Sequence, residues 1–133
     1  NWDRKLKRGN QMIKYTNDHE WVKEESDGFT IGISEYAIDE LGEIVFVELP
    51  EENIEIKKED EFGTIESVKT VSSLYMPIDG TITSINQKLI DEPSLLNDNA
   101  KDFEWLIKIK TDSKEQFNTL MSEKEYQDFL ETL

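Results

Sequence analysis

The sequence predicts a mainly β domain with a short helix near residues 35–41 and helices at the C-terminal end. Three observations predict it. Short runs of Val, Ile, Thr and aromatic residues recur between clusters of Gly, Pro, Asn and Asp, as strands recur between turns. Ser34 and Gly42 stand where a short helix takes its N-cap and its C-terminal glycine. Asp112-x-x-Glu115 and Ser122-x-x-Glu125 have the spacing of capping boxes. A chain of 133 residues with 36% hydrophobic content can bury one modest core, so residues 12–133 are expected to form a single domain.

In order, residues 19–25 and 29–33 read as strands joined by the turn-prone Ser26-Asp27-Gly28. The helix over 35–41 follows. Residues 43–49 carry Ile44 and Phe46 on one face and Val45, Val47 and Leu49 on the other, which predicts a strand buried on both faces. Pro50-Glu51-Glu52-Asn53 is a loop. Residues 61–68, with Phe62, Ile65 and Val68, pair with residues 71–76, with Val71, Leu74, Tyr75 and Met76, in a predicted hairpin that has Lys69 at its tip. Pro77-Ile78-Asp79-Gly80 then turns the chain, and the Asp-Gly pair predicts positive φ at Gly80. Gly63-Thr64-Ile65-Glu66-Ser67-Val68 recurs as Gly80-Thr81-Ile82-Thr83-Ser84-Ile85, which fits a sheet built from two related halves. Residues 87–102 are polar and read as loop, and 103–109 as a further strand. Helices near 113–121 and 123–131 close the chain. Phe117, Leu120 and Met121 on the first, and Tyr126, Phe129 and Leu130 on the second, are expected to pack against the sheet.

Composition excludes several functions. The formal net charge is −15, and the first eleven residues carry +3, which leaves −18 on the rest. Such a surface disfavours nucleic acid and anionic membranes, whose recognition needs clustered positive charge. It favours solubility and steering towards basic patches on partner proteins. No apolar run approaches the length of a membrane-spanning helix. There is no cysteine, so thiol chemistry must arrive on an attached group. His19 is the only histidine, which rules out a multi-histidine metal cluster, and no serine sits in a recognisable nucleophile elbow. The basic segment 1–11 is expected to be a disordered extension. It reads either as a tag remnant ahead of Met12 or as the end of an Arg-rich transit peptide.

Lys69 is the most informative residue. Small and apolar neighbours surround it in Gly63-Thr64-Ile65-Glu66-Ser67-Val68-Lys69-Thr70-Val71, whereas other lysines often sit beside charges, as in Lys57-Lys58-Glu59-Asp60. A lone lysine on a rigid turn suits covalent attachment of a prosthetic group. Attachment needs a reachable amine and a backbone that holds it in place. A solvated turn lysine shows the same pattern, so the spacing alone leaves both readings open.

An ordered set of motifs narrows the choice. Tyr15-Thr16-Asn17-Asp18-His19-Glu20-Trp21-Val22 comes first, then Ile31-Gly32-Ile33-Ser34-Glu35-Tyr36-Ala37 and Leu41-Gly42-Glu43-Ile44-Val45-Phe46-Val47-Glu48-Leu49-Pro50. Glu66-Ser67-Val68-Lys69-Thr70, Pro77-Ile78-Asp79-Gly80 and Trp105-Leu106-Ile107-Lys108-Ile109-Lys110 follow. In this order the set resembles the H proteins of the glycine cleavage system over roughly residues 13–130. The resemblance implies a lipoyl/biotinyl-type barrel-sandwich hybrid with lipoate bound covalently to Lys69. It implies a carrier rather than an enzyme. The carrier would take an aminomethyl group from glycine decarboxylase (P protein) to the aminomethyltransferase (T protein) and be reoxidised by dihydrolipoyl dehydrogenase (L protein). A lipoate-attaching enzyme would load it. Such a carrier is expected to be a monomer, in the cytoplasm of a bacterium or in the mitochondrial matrix of a eukaryote.

The resemblance also implies roles for further residues. Glu66, Val68 and Gly80 look like recognition elements for lipoylation. His19 and Glu20 look like part of a cleft where the loaded arm rests, with the Glu20 carboxylate against the charged amine. A surface acid and a structural histidine are the plainer readings of those two. Some H proteins place an acid four residues after the modified lysine, where this chain has Ser73, and neither Ser67 nor Asp18 is an obvious substitute. The family also commonly has a glycine just before the tryptophan of Asp102-Phe103-Glu104-Trp105. Two other readings remain open: a lipoyl-relay carrier acting outside glycine cleavage, and an unmodified β-rich interaction domain. A biotin carrier fits less well, because Lys69 is flanked by Val68 and Thr70 and not by methionines.

Overall fold

The computed structural model describes residues 12–133, and the expectations for segment 1–11 lie outside them. One antiparallel sheet contains β1 (Ile13–Tyr15), β2 (Glu20–Glu25), β3 (Gly28–Ile33), β5 (Glu55–Ile56), β8 (Gly80–Ile85) and β9 (Trp105–Lys110), in the order β1-β2-β3-β9-β8-β5. A second contains β4 (Ile44–Glu48), β6 (Glu61–Ser67) and β7 (Val71–Tyr75), in the order β4-β6-β7. One core takes side chains from both, including Val22, Ile31 and Ile107 from the first and Val47, Ile65 and Leu74 from the second. The fold is thus mainly β and built of facing antiparallel sheets. The echoing segments that start at Gly63 and Gly80 fall in different sheets, in β6 and β8.

Two strand contacts explain conspicuous residues. Trp21 pairs with Gly32 across β2 and β3, and a Cβ on Gly32 would come within 2.3 Å of the indole. The missing side chain is what lets Trp21 reach 2% exposure. Phe103 meets the same indole edge-on at 5.4 Å. Its backbone is left-handed, with φ 56° and ψ 56°, the conformation a glycine adopts most easily. A side chain in that conformation carries backbone strain, and its ring packs on Trp21.

Helix α1 (Glu35–Leu41) begins and ends as the sequence predicts. The Ser34 hydroxyl accepts from the Ala37 N–H, and the Gly42 N–H donates to the Ile38 carbonyl at 3.0 Å. Strand β4 departs from expectation. A register shift between Ile44 and Phe46 makes Val45 an extra residue. Ile44 and Val47 therefore both face the core, while Val45 and Phe46 stand 44% and 50% exposed. A bulge breaks the period of two on which the doubly buried reading rested.

The stretch 87–102 is not loop but two short helices, α2 (Gln87–Asp91) and α3 (Leu95–Asp98), and a 3₁₀ turn over Ala100–Asp102. Leu89 and Leu96 anchor them, both fully buried. Gly80 does not adopt positive φ; it opens β8, where a Cβ would lie 2.6 Å from the Ile109 side chain. Close packing, not turn geometry, accounts for that glycine. Helix α4 (Lys114–Asn118) is shorter than predicted, and its N-cap is Ser113 with no side-chain hydrogen bond, so the box from Asp112 does not form. Helix α5 (Glu123–Leu130) has the complete box between Ser122 and Glu125. It docks through Tyr126, which stacks on Tyr15 at 4.3 Å. No helix among the described residues is long and apolar enough to cross a membrane.

Candidate functional site

Strands β6 and β7 end at Ser67 and Val71, which leaves Val68, Lys69 and Thr70 as the hairpin tip. Ser67 builds this turn. Its N–H donates to the Thr70 carbonyl at 2.8 Å, and its hydroxyl oxygen accepts from the N–H groups of Lys69 and Thr70, both at 3.1 Å. Ser67 is itself 4% exposed, so the turn rests on a buried post. The tip is also fastened sideways. The Val68 N–H donates to the Glu43 carbonyl at 3.0 Å, just beyond the end of α1. Asn97 of α3 holds that junction from the other side. Its Nδ2 donates to the Gly42 carbonyl at 2.8 Å, and its Oδ1 accepts from the Ile44 N–H at 2.9 Å.

Lys69 is exposed at the end of this assembly. Its side chain lies over Gly42, where an added Cβ would stand 3.1 Å from Cε and 3.7 Å from Nζ. Gly42 closes α1, and the C-terminal end of a helix favours a cation. Among the described residues Lys69 is in no ion pair. The geometry thus offers a primary amine in solvent on a tip whose Val68, Lys69 and Thr70 N–H groups are all hydrogen-bonded. Such an amine can act as the nucleophile in acylation.

Glu66 and Val68 share this end of the hairpin. Both are exposed, Val68 at 63%, and Glu66 stands in the register row Phe46–Glu66–Val71. Gly80 does not join them. The Asp79 carboxylate before it accepts from the Lys58 N–H at 2.7 Å, and Met76 donates to the Asp60 carbonyl. Those contacts put Gly80 at the far end of the hairpin, where Glu61 pairs with Tyr75. It helps line a cleft of about 640 Å³ with Glu25, Lys57 and Lys110 that Lys69 does not border.

Glu20 is no surface acid. It is 2% exposed and receives two hydrogen bonds, from the Thr16 hydroxyl at 2.6 Å and from the Tyr75 N–H at 3.3 Å. Burial pushes its carboxyl up to about 8, and the two hydrogen bonds only partly oppose that rise. The protonated form therefore prevails at neutral pH. Glu20 borders a separate cleft of about 360 Å³ with Thr16, Asp18, Met76 and Phe129. His19 does not line it. The backbone of His19 is left-handed, at φ 72°, and its Nδ1 lies 2.8 Å from the Tyr126 hydroxyl, which also bonds Ser34 at 2.8 Å. Burial lowers its pKa. His19 is thus part of the α5 docking, and the expected pairing of His19 and Glu20 in one cleft is not what the fold provides. Ser73 lies on the outward row with Thr64 and Glu48.

Sequence reasoning missed Gly42 and Asn97 as members of the site. Gly42 was legible only as a helix terminus, and Asn97 carried no signal within a polar stretch. Ser67 had a clue in its place two residues before the lysine, where a hydroxyl can accept from turn amides.

Comparison with known proteins identifies the family. The family model described as glycine cleavage H-protein matches residues 13–133. The glycine cleavage system H protein of Staphylococcus carnosus is 46% identical over 120 residues, covering 90% of this chain and 95% of that protein. The mitochondrial glycine cleavage system H protein 3 of Arabidopsis thaliana is 47% identical over 119 residues, covering 90% of this chain and 72% of that protein. The crystal structure of a glycine cleavage system H protein from Mycobacterium marinum superposes with a TM-score of 0.76 at 28% identity, over 87% of this chain and 94% of that one. A match along nearly the whole described chain, with relatives this similar, places the chain in the glycine cleavage H-protein family.

Proposed function

We propose that Lys69 carries lipoate in amide linkage and that the chain is thereby the shuttle of the glycine cleavage system. Members of the family are lipoyl carriers and not catalysts. The observation that carries the assignment to Lys69 is its exposed amine on a turn locked by Ser67 and tied to Glu43. When bound, the lipoyl group supplies a disulfide–dithiol couple for aminomethyl transfer, chemistry that a cysteine-free chain lacks. The protein's part is mechanical. A tip with little backbone freedom lowers the entropic cost of presenting the arm to successive active sites.

The remaining residues take supporting roles in this reading. Glu66 and Val68 mark the lysine for the lipoate-attaching enzyme. Glu20 offers a carboxyl to the charged end of the loaded arm. It rests protonated, and a cation brought against it lowers its pKa and draws out the carboxylate. With Ser73 in place of an acid, β7 supplies no second carboxylate, and Asp18 is an acid that shares the cleft with Glu20. Residues 12–133 act as one monomeric domain. The partners are glycine decarboxylase, the aminomethyltransferase and dihydrolipoyl dehydrogenase. Relatives from bacteria and from mitochondria fit a bacterial cytoplasm or a mitochondrial matrix.

Reconstitution tests the pathway. Fully lipoylated protein mixed with the three partner enzymes should support glycine-dependent exchange of carbon dioxide. Full lipoylation without exchange would overturn the assignment and leave a lipoyl-relay carrier.

A further inference from the structure

Nine large apolar side chains stand exposed among the described residues, and five of them lie on one small sheet and its tip: Val45, Phe46, Val68, Val71 and Tyr75. They are not scattered. Phe46, Glu66 and Val71 form one cross-strand row, so their side chains share the outward face. The bulge in β4 is what turns Phe46 out; without it the strand would bury that ring. Glu66 stands within the row, between Phe46 and Val71, and Glu43 and Glu48 stand beside it, all exposed. Strands β4, β6 and β7 and their tip hold no basic residue except Lys69.

We propose that the outward face of β4-β6-β7, centred on Phe46 and Val71, is the docking surface for the enzyme that acylates Lys69. That enzyme presents an apolar recess edged with lysine and arginine. The proposal rests on Lys69 being the lipoyl attachment site. Reach decides which partner uses the face. Acylation requires the amine itself to enter an active site, and a lysine side chain extends only about four methylenes beyond its backbone. The mouth of that active site must therefore lie against whatever flanks Lys69. A partner served by the loaded arm can stand further off. Charge decides the chemistry of the recess. Acidic side chains within and beside an apolar row steer a basic partner and repel a second copy of this chain.

The test measures lipoate incorporation by a purified lipoate–protein ligase with lipoate and ATP, as a function of carrier concentration. Phe46→Thr puts a strand-favouring β-branched residue at that position and should lower kcat/KM about tenfold, chiefly through KM, as loss of a central aromatic contact does. Its thermal midpoint should stay at the parent value. Ile54→Thr, an exposed apolar position off this sheet, should leave kcat/KM unchanged. Parent efficiency in Phe46→Thr overturns the docking face and leaves the Lys69 assignment standing. No lipoyl increment on the parent chain overturns both. Concentration-dependent dimerisation that Phe46→Thr abolishes would assign the face to a second copy and overturn the proposal.

Discussion

Ser67, Gly42 and Glu20 each carry more of the site than their surroundings suggest. Ser67→Ala removes the acceptor of two tip amides and should cost about 1 kcal/mol. Amide exchange should quicken at Lys69 and Thr70 above all, and parent exchange rates there would show that the hydroxyl does not hold the turn. Gly42 has φ 84° and ψ −148°, a region nearly closed to other residues, so Gly42→Ala should cost about 1–3 kcal/mol in urea unfolding. Glu20 has a sign that can be worked out. Its folded value of about 8 lies above the ordinary 4.5, so folding takes up a proton between those values. The stabilisation is complete below the lower value and is lost as pH rises towards the upper one. Glu20→Gln cannot ionise and should flatten that part of the pH–stability curve. Equal slopes in the two proteins between pH 5 and pH 8 would show Glu20 to be ionised in the resting fold.

At the scale of elements, Asn97 joins three of them. Asn97→Ala leaves the Ile44 N–H without its acceptor and should cost about 1–3 kcal/mol, read by thermal unfolding. Elements whose signals are local were legible. The helix after Ser34, the hairpin around Lys69 and the box at Ser122 each depend on residues a few positions apart, so the chain states them directly. Elements set by distant contacts were not. The bulge at Val45 answers to the pairing of β4 with β6, some twenty residues on, and leaves no mark in the local pattern. Helices α2 and α3 form because Leu89 and Leu96 find a distant core, although their neighbours read as loop. The site divides likewise. The shared position of Glu66, Val68 and Lys69 at one end of the hairpin was readable because they lie in one short segment, while the Asn97–Gly42 clamp spans 55 residues. Adjacency misled once, at His19 and Glu20, where a left-handed residue sends neighbouring side chains to different places.

For the whole molecule, the two sheets share one core, and Lys69 stands exposed at the tip of the smaller sheet. The negative surface suits a carrier that must leave each partner, because attraction between solvent-exposed charges is long-ranged enough to steer yet is screened by salt. In this reading Lys69 is a mount and not part of the scaffold. Incubation with lipoate, ATP and a lipoate ligase, followed by intact mass and peptide mapping, separates the two. A single lipoyl increment, confined to the peptide containing Lys69, is the expected result. Lys69→Arg should take up none while keeping the thermal midpoint of the parent, since an exposed turn side chain contributes little to the core. An increment on another lysine, or none on folded protein while a known carrier is labelled in parallel, would show that Lys69 is not the mount.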